Sequence, residues 1–189
     1  MFTTKRLIIS VPGKEHAGSA LKFYSENKEL GEKWDPPLPE YFTTIEYQKE
    51  ALEKDIKGFD DGFETRFWIF LKTNPSEPIG YCLIQRVIRT DFQASCIIGY
   101  FLGEQYHHMG YMSEALELVL EILFTDYKMQ RICAYILPEN IPSIHLAKRL
   151  GFECEGITKS YSFLHGKWAD HYCYSLIRPK EFGFLDPGY

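Results

Sequence analysis

The chain has 189 residues, 45% of them hydrophobic and 16% aromatic, with thirteen Tyr and fourteen Phe and a formal net charge of −5. That composition excludes a disordered chain, and the length suits one domain, residues 1–189, able to bury well over half of its unfolded surface. The acidic balance speaks against a nucleic-acid partner and suits a cationic amine, and the absence of any membrane-length apolar tract or secretory signal leads us to expect a cytoplasmic protein with no membrane partner.

In chain order, Lys5–Val11 reads as a strand and Glu15–Leu30 as a helix with Ala20, Leu21 and Tyr24 inward. A Pro-rich loop containing Trp34, Pro36, Pro37 and Pro39 leads to a second helix near Thr43–Lys57. Phe67–Leu71 and Ile79–Ile88 are expected to form a hairpin that turns through Asn74-Pro75-Ser76-Glu77-Pro78. Cys96–Leu102 is an apolar run of buried-strand length, followed by a polar turn from Gly103 to Gly110. From Tyr111 to Tyr127, Met112, Ala115, Leu116, Val119, Leu120, Leu123, Phe124 and Tyr127 recur at spacings of three and four, the clearest amphipathic helix in the chain. Arg131–Leu137 is a second apolar strand, and a connection that contains a helix implies a parallel pair.

Pro138 ends that strand, Pro142 fits a first helical turn, and Gly151 can stop the helix that buries Leu146, Ala147 and Leu150. Asn140 and Ser143 therefore lie at a helix N-terminus, as caps or as groups facing a ligand. Two long strands, 153–164 and 168–177, meet at Leu164-His165-Gly166-Lys167. The turn His107-His108-Met109-Gly110-Tyr111-Met112 can form an anion-binding nest, because consecutive amides at a helix start converge on negative charge. It is neither Gly-x-Gly-x-x-Gly nor a P-loop. The five cysteines, Cys82, Cys96, Cys133, Cys154 and Cys173, form no Cys-x-x-Cys pair and read as reduced core thiols.

Taken in order, the strand, the Gly-Tyr-x-Ser-Glu-Ala helix, Arg-Ile-x-Ala, Pro-Glu-Asn-x-x-Ser and Leu-Gly-Phe resemble the GNAT superfamily of N-acetyltransferases over Cys96–Gly156. Thr-Lys-Arg-Leu-Ile-Ile, the Trp34-Asp35-Pro36-Pro37 loop, Pro78-Ile79-Gly80-Tyr81 and Gly166-Lys167-Trp168-x-Asp170 are similar to the RimJ/RimL-type subgroup of ribosomal-protein N-terminal acetyltransferases. The resemblance implies an α/β (α+β) single-domain fold, a mixed central sheet of about seven strands with about four helices. It implies acetyl-CoA as acyl donor and cosubstrate, no metal, and a primary-amine acceptor, either a protein N-terminal α-amine or a small amine or antibiotic, in a monomer or homodimer.

By the same resemblance, pantetheine lies along the splayed end of strand 96–102, at Tyr100, Phe101 and Leu102. The pyrophosphate lies on the amides of His107, His108, Met109, Gly110, Tyr111 and Met112, and Ser113, Asn140 and Ser143 are further coenzyme-binding residues, Ser143 near the thioester sulfur. Of the family's usual turn only Gly110 is kept. Ser143 matches the proposed acid toward the coenzyme thiolate, amides of the bulged strand near Tyr100–Leu102 match the oxyanion donor, and Trp34 and Trp168 are expected to wall the acceptor pocket. Ala147 stands where other members carry a tyrosine acid, and Ser162 where the Rim-type glutamate stands. The base therefore stays open among His165, His171, Glu104, Glu64 and a water chain.

Two other classes fit parts of the sequence. A thiol enzyme using Cys96 or Cys133 lacks a visible source of thiolate activation. A noncatalytic acyl-CoA-binding module would account for the altered turn and the missing glutamate.

Overall fold

Residues 1–183 are described by the computed structural model, in which strand alternation sorts apolar side chains onto both faces of one mixed sheet. The strands are β1 (Phe2–Thr3), β2 (Leu7–Ser10), β3 (Thr65–Leu71), β4 (Asn74–Thr90), β5 (Gln93–Leu102), β6 (Arg131–Ile136), β7 (Glu153–Leu164) and β8 (Lys167–Ile177). Their spatial order is β1-β2-β3-β4-β5-β6-β8-β7, and every pair is antiparallel except β5 with β6. The helices are α1 (Ala17–Glu26), α2 (Lys28–Trp34), α3 (Ile45–Asp61), α4 (Tyr111–Thr125) and α5 (Ile141–Arg149).

One face carries Leu7, Ile9, Phe67, Ile69, Ile84, Ile98 and Ile132 against Ala115, Leu116, Val119 and Leu123 of α4 and Ile144 and Ala147 of α5. The opposite face sets Trp68 and Phe70 against Ala17, Ala20, Phe23 and Tyr24 of α1 and Leu52 of α3. Side chains such as Tyr81 and Phe101, which alternate with core residues of the first face, pack on this second cluster.

Several boundaries depart from the sequence reading for local reasons. The helix expected over 15–30 breaks at Asn27, whose side-chain amide bonds the Phe23 carbonyl at 2.9 Å, and α2 then restarts at Lys28. Asn competing with the helix ladder in this way explains the extra helix. The second helix runs four residues further than expected, from a Thr44 cap to Gly62, whose φ of +68° suits glycine.

The β3–β4 turn is not at 74–78, because Leu71 already pairs with Asn74. Pro75 and Pro78 lie within β4, where register shifts at Ile69/Phe70 and Phe70/Leu71 absorb the missing donors. The two-residue β1 brings the sheet to eight strands rather than about seven. The helix expected to reach Tyr127 ends at Thr125, although Tyr127 is still buried. Of the expected domain 1–189, residues 184–189 lie outside the described residues.

Candidate active site

The only parallel pair among the described residues is short: β5 and β6 are paired at Ser95↔Arg131, Cys96↔Ile132 and Ile97↔Cys133, yet the strands continue to Leu102 and Ile136. Beyond Ile97 the sheet therefore opens into a V-shaped cleft. Gln130 N–H donates to Ala94 O on the β6 side of β5, whereas Gly103 N–H donates to Ile79 O on the β4 side. Ladder alternation then turns the N–H and C=O groups of Ile98, Tyr100 and Leu102 toward the cleft, with no strand to pair them. A Cβ added to Gly99 would meet nothing within 4 Å. The bulge expected near Tyr100–Leu102 is absent, since pairing with β4 is regular from Ile97 to Leu102 and the irregularity lies in β4 between Gln85 and Ile88, where Arg86 takes a φ of +48°.

The cleft leads to the start of α4. His108 and Gly110 both have left-handed backbones, φ +61° and +77°, which curl the turn so that its amides converge. Gly110 occupies the cap position and no side chain caps α4, so the first-turn amides of Tyr111, Met112 and Ser113 have no capping partner. Met112 itself is buried and Met109 exposed. His107 does not point outward: Nε2 bonds the cleft-facing Leu102 carbonyl at 2.9 Å. Its ring thus links the turn to β5, while His108 is exposed.

The start of α5 is different. Asn140 Oδ1 accepts the Ser143 N–H at 3.2 Å, so Asn140 acts as a cap and its oxygen is committed within the protein. The Ser143 hydroxyl instead meets the Tyr100 hydroxyl at 2.7 Å, and Tyr100 also donates to the Ser143 carbonyl at 3.3 Å. Burial pushes the Tyr100 phenol up to about 12, the Ser143 hydrogen bond opposing it. Tyr100 thus stays protonated near neutral pH.

On the α1 face, Tyr24, Asn27, Gly31, Asp35, Tyr81 and Phe101 line a cavity, with the Tyr81 and Phe101 rings stacked at 5.8 Å. Across the cleft, Tyr135 stacks on Tyr161 at 4.2 Å, and the His171 ring lies 4.9 Å from Tyr161. His171 is buried, with Nδ1 3.3 Å from the Ala169 carbonyl. Burial lowers its pKa, against the opposing influence of that carbonyl and of Asp35. Among the four side-chain candidates for the base, His171 alone is buried. Glu64 accepts the Arg86 N–H at 2.7 Å, Glu104 is exposed, and His165 sits in the β7–β8 turn near the Lys33 carbonyl.

Ser162 has a buried hydroxyl without a protein partner, beside the β7 bulge that Asp170 holds by accepting the Ser160 N–H at 2.8 Å. Asp170 is thus a structural residue. Trp34 ends α2, half-buried beneath Lys33 Nζ. Trp168 is 63% exposed against Phe163, and the pleat of β8 puts it on the face opposite His171. It stands on the rim, and no contact joins the two tryptophans among the described residues.

Three cysteines are buried as expected, but Cys154 is exposed and Cys173 half-buried, and all five are free thiols. Burial pushes Cys96 up to about 12 and raises Cys133 as well, the opposite of thiolate activation. Among the described residues no group of three or more His, Cys, Asp or Glu could hold a metal ion, and no helix is long and apolar enough to cross a membrane. Sequence reasoning missed Tyr135 and Tyr161, whose stacking needs the folded sheet and a bulge in β7 that no alternation pattern reveals. It also missed Arg6, which reaches the α4 turn from the start of β2.

Residues 6–153 match the family model described as "Acetyltransferase (GNAT) domain". The chain is 30% identical over 177 residues to the [Ribosomal protein uS5]-alanine N-acetyltransferase of Escherichia coli (strain K12), covering 94% of this chain and 90% of that one. Its fold is similar to the ribosomal-protein-S5-alanine acetyltransferase from Vibrio fischeri, with a TM-score of 0.87 at 24% identity, covering 94% and 96% of the two chains. It is also similar to RimL, a ribosomal L7/L12 α-N-protein acetyltransferase solved in complex with coenzyme A, with a TM-score of 0.81 at 21% identity over 92% and 95%.

Proposed function

The chain belongs to the GNAT acetyltransferase family, and from that premise we propose that it moves the acetyl group of acetyl-CoA to the α-amine of a protein N-terminus by direct attack in a ternary complex. The observation that carries this reading is the unpaired edge of β5 beside the uncapped start of α4. Pantetheine lies along Tyr100–Leu102 as a surrogate strand, and the pyrophosphate meets the amides of residues 109–113. Binding of coenzyme A by the RimL neighbour supports the donor, and the uS5-alanine acceptor of the Escherichia coli relative supports the α-amine. A ribosomal-protein acceptor would put the reaction in the cytoplasm.

In this reading the amine nitrogen forms a bond to the thioester carbon, and the Tyr100 N–H faces the developing oxyanion. The ammonium proton leaves through His171, neutral at pH 7 because burial lowers its pKa, and the C–S bond breaks. Either hydroxyl of the Tyr100–Ser143 pair can donate; with Tyr100 donating, the serine proton passes to the departing thiolate and is replaced from water. Positioning of both substrates in one cleft supplies much of the rate.

Isothermal titration with acetyl-CoA, run beside a thiol-release assay on peptides with N-terminal Ala or Ser, on small amines and on aminoglycosides, tests the reading. Binding with thiol release on the peptides supports it. Release on small amines alone moves the acceptor class, and binding without release on any acceptor points to a noncatalytic module.

A further inference from the structure

We propose that Arg6, which lies outside the coenzyme turn in sequence, is the positioning residue that holds that turn in its phosphate-binding shape. The inference rests on the reading that the amides of residues 109–113 receive the pyrophosphate of the acyl donor. Arg6 reaches the turn by three routes: Nη1 donates to the Met109 carbonyl at 2.8 Å, Nε donates to Glu114 Oε2 at 2.6 Å, and the guanidinium carbon lies 4.4 Å from the Tyr111 ring centre. A Cβ on Gly110 would come within 3.4 Å of its third nitrogen.

Each contact bears on the amides. A trans peptide plane carries C=O and N–H on opposite sides, so fixing the Met109 carbonyl toward Arg6 turns the Gly110 N–H away from it, toward the inside of the turn. Glu114 lies in the first turn of α4, where a carboxylate favours the helix dipole but competes with an anionic ligand for the same positive end. Both of its oxygens are occupied: Oε1 accepts the Arg6 N–H at 2.8 Å and the Thr4 hydroxyl at 2.5 Å, and Oε2 takes the guanidinium. Partial burial pushes the Glu114 carboxyl up, and the bonds from Thr4 and Arg6 outweigh it and hold the group ionised, below its ordinary value. Thr4 in turn accepts the Leu7 N–H at 3.0 Å, which anchors the clamp to β2. A forked donor is needed to hold a carbonyl and a carboxylate together, and a lysine cannot replace it.

Coenzyme A titrated calorimetrically, and pantetheine titrated by NMR, separate the phosphate-bearing nucleotide part of the ligand from its pantetheine arm. Arg6→Met should weaken coenzyme A by about 10-fold, as expected for loss of charge-assisted hydrogen bonds, while leaving pantetheine affinity and the circular-dichroism spectrum unchanged. Arg6→Lys, which keeps the stem and the charge, should show the same selective loss. Equal losses for both ligands, or unchanged coenzyme affinity, would make Arg6 a structural residue only and overturn the proposal. If Arg6→Met does not fold, Arg6→Lys decides by the same comparison. A wild-type chain that takes up no coenzyme A overturns the acetyltransferase reading, and the proposal with it.

Discussion

Replacing Ser143 by alanine removes one hydroxyl and leaves its surroundings almost intact. The cap on α5 survives, because Asn140 accepts from the Ser143 backbone N–H rather than from its side chain. Tyr100 keeps its 3.3 Å bond to the residue 143 carbonyl and loses the 2.7 Å hydroxyl partner, a stability cost of about 0.5–1.5 kcal/mol. If the hydroxyl protonates the leaving thiolate, kcat should fall roughly 10- to 100-fold, about 1.4–2.7 kcal/mol, at the weak end of general-acid effects because water can substitute. Coenzyme affinity should change little. Tyr100→Phe should lower kcat by about 3- to 10-fold through the lost donor, and the double variant should fall short of the product of the two, since both act through one hydrogen bond. Steady-state kinetics at saturating acetyl-CoA, with calorimetric affinities beside them, provide the numbers. Wild-type kcat in Ser143→Ala with only a lower Tm would show that the hydroxyl serves packing alone.

Gly110→Val forces a β-branched residue to a φ of +77°, a strain of about 1–3 kcal/mol, and should weaken acetyl-CoA by at least ~10-fold; unchanged affinity in a folded variant argues against the nest. Because burial lowers the His171 pKa and the base must be neutral, kcat/KM should rise as pH climbs through a value below ~6.5 and again near ~8 as an α-amine deprotonates. His171→Asn should abolish the first limb only, and a limb that survives would exclude His171 as the base. Glu155 is held down to about 2 by Arg131 and Ser175, so its contribution to stability is complete above its unfolded value near ~4.3 and is lost as pH falls from there toward 2. Melting curves of Glu155→Gln should accordingly lose part of the wild-type Tm slope in that acid window, and parallel slopes would contradict the assignment.

The part of the fold most legible in the sequence was the β5–α4–β6–α5 run, because apolar period, Gly110 and the Pro138–Pro142 frame all agree there. Asn27 escaped notice because a helical pattern does not reveal a side chain that bonds its own backbone. The β3–β4 turn was misplaced because two prolines read as a turn, whereas bulges accommodate them inside β4. Ser143 could be picked out by its position at a helix start, but its Tyr100 partner is 43 residues away and needs the folded sheet. Arg6 and Glu114, 108 residues apart, are invisible as a pair for the same reason. Trp168 was picked out by its hairpin motif and its aromatic chemistry, and strand parity decides which face it takes.

The central claim, acetyl transfer to a protein N-terminus in the β5–β6 cleft, is tested most directly by mass spectrometry of a peptide carrying both an N-terminal alanine and an internal lysine after incubation with the chain and acetyl-CoA. The account predicts one acetyl group on the α-amine, in step with release of free coenzyme A, and slower accumulation with Ser143→Ala. An unmodified peptide in the presence of bound acetyl-CoA, or acetylation of the lysine alone, would contradict it.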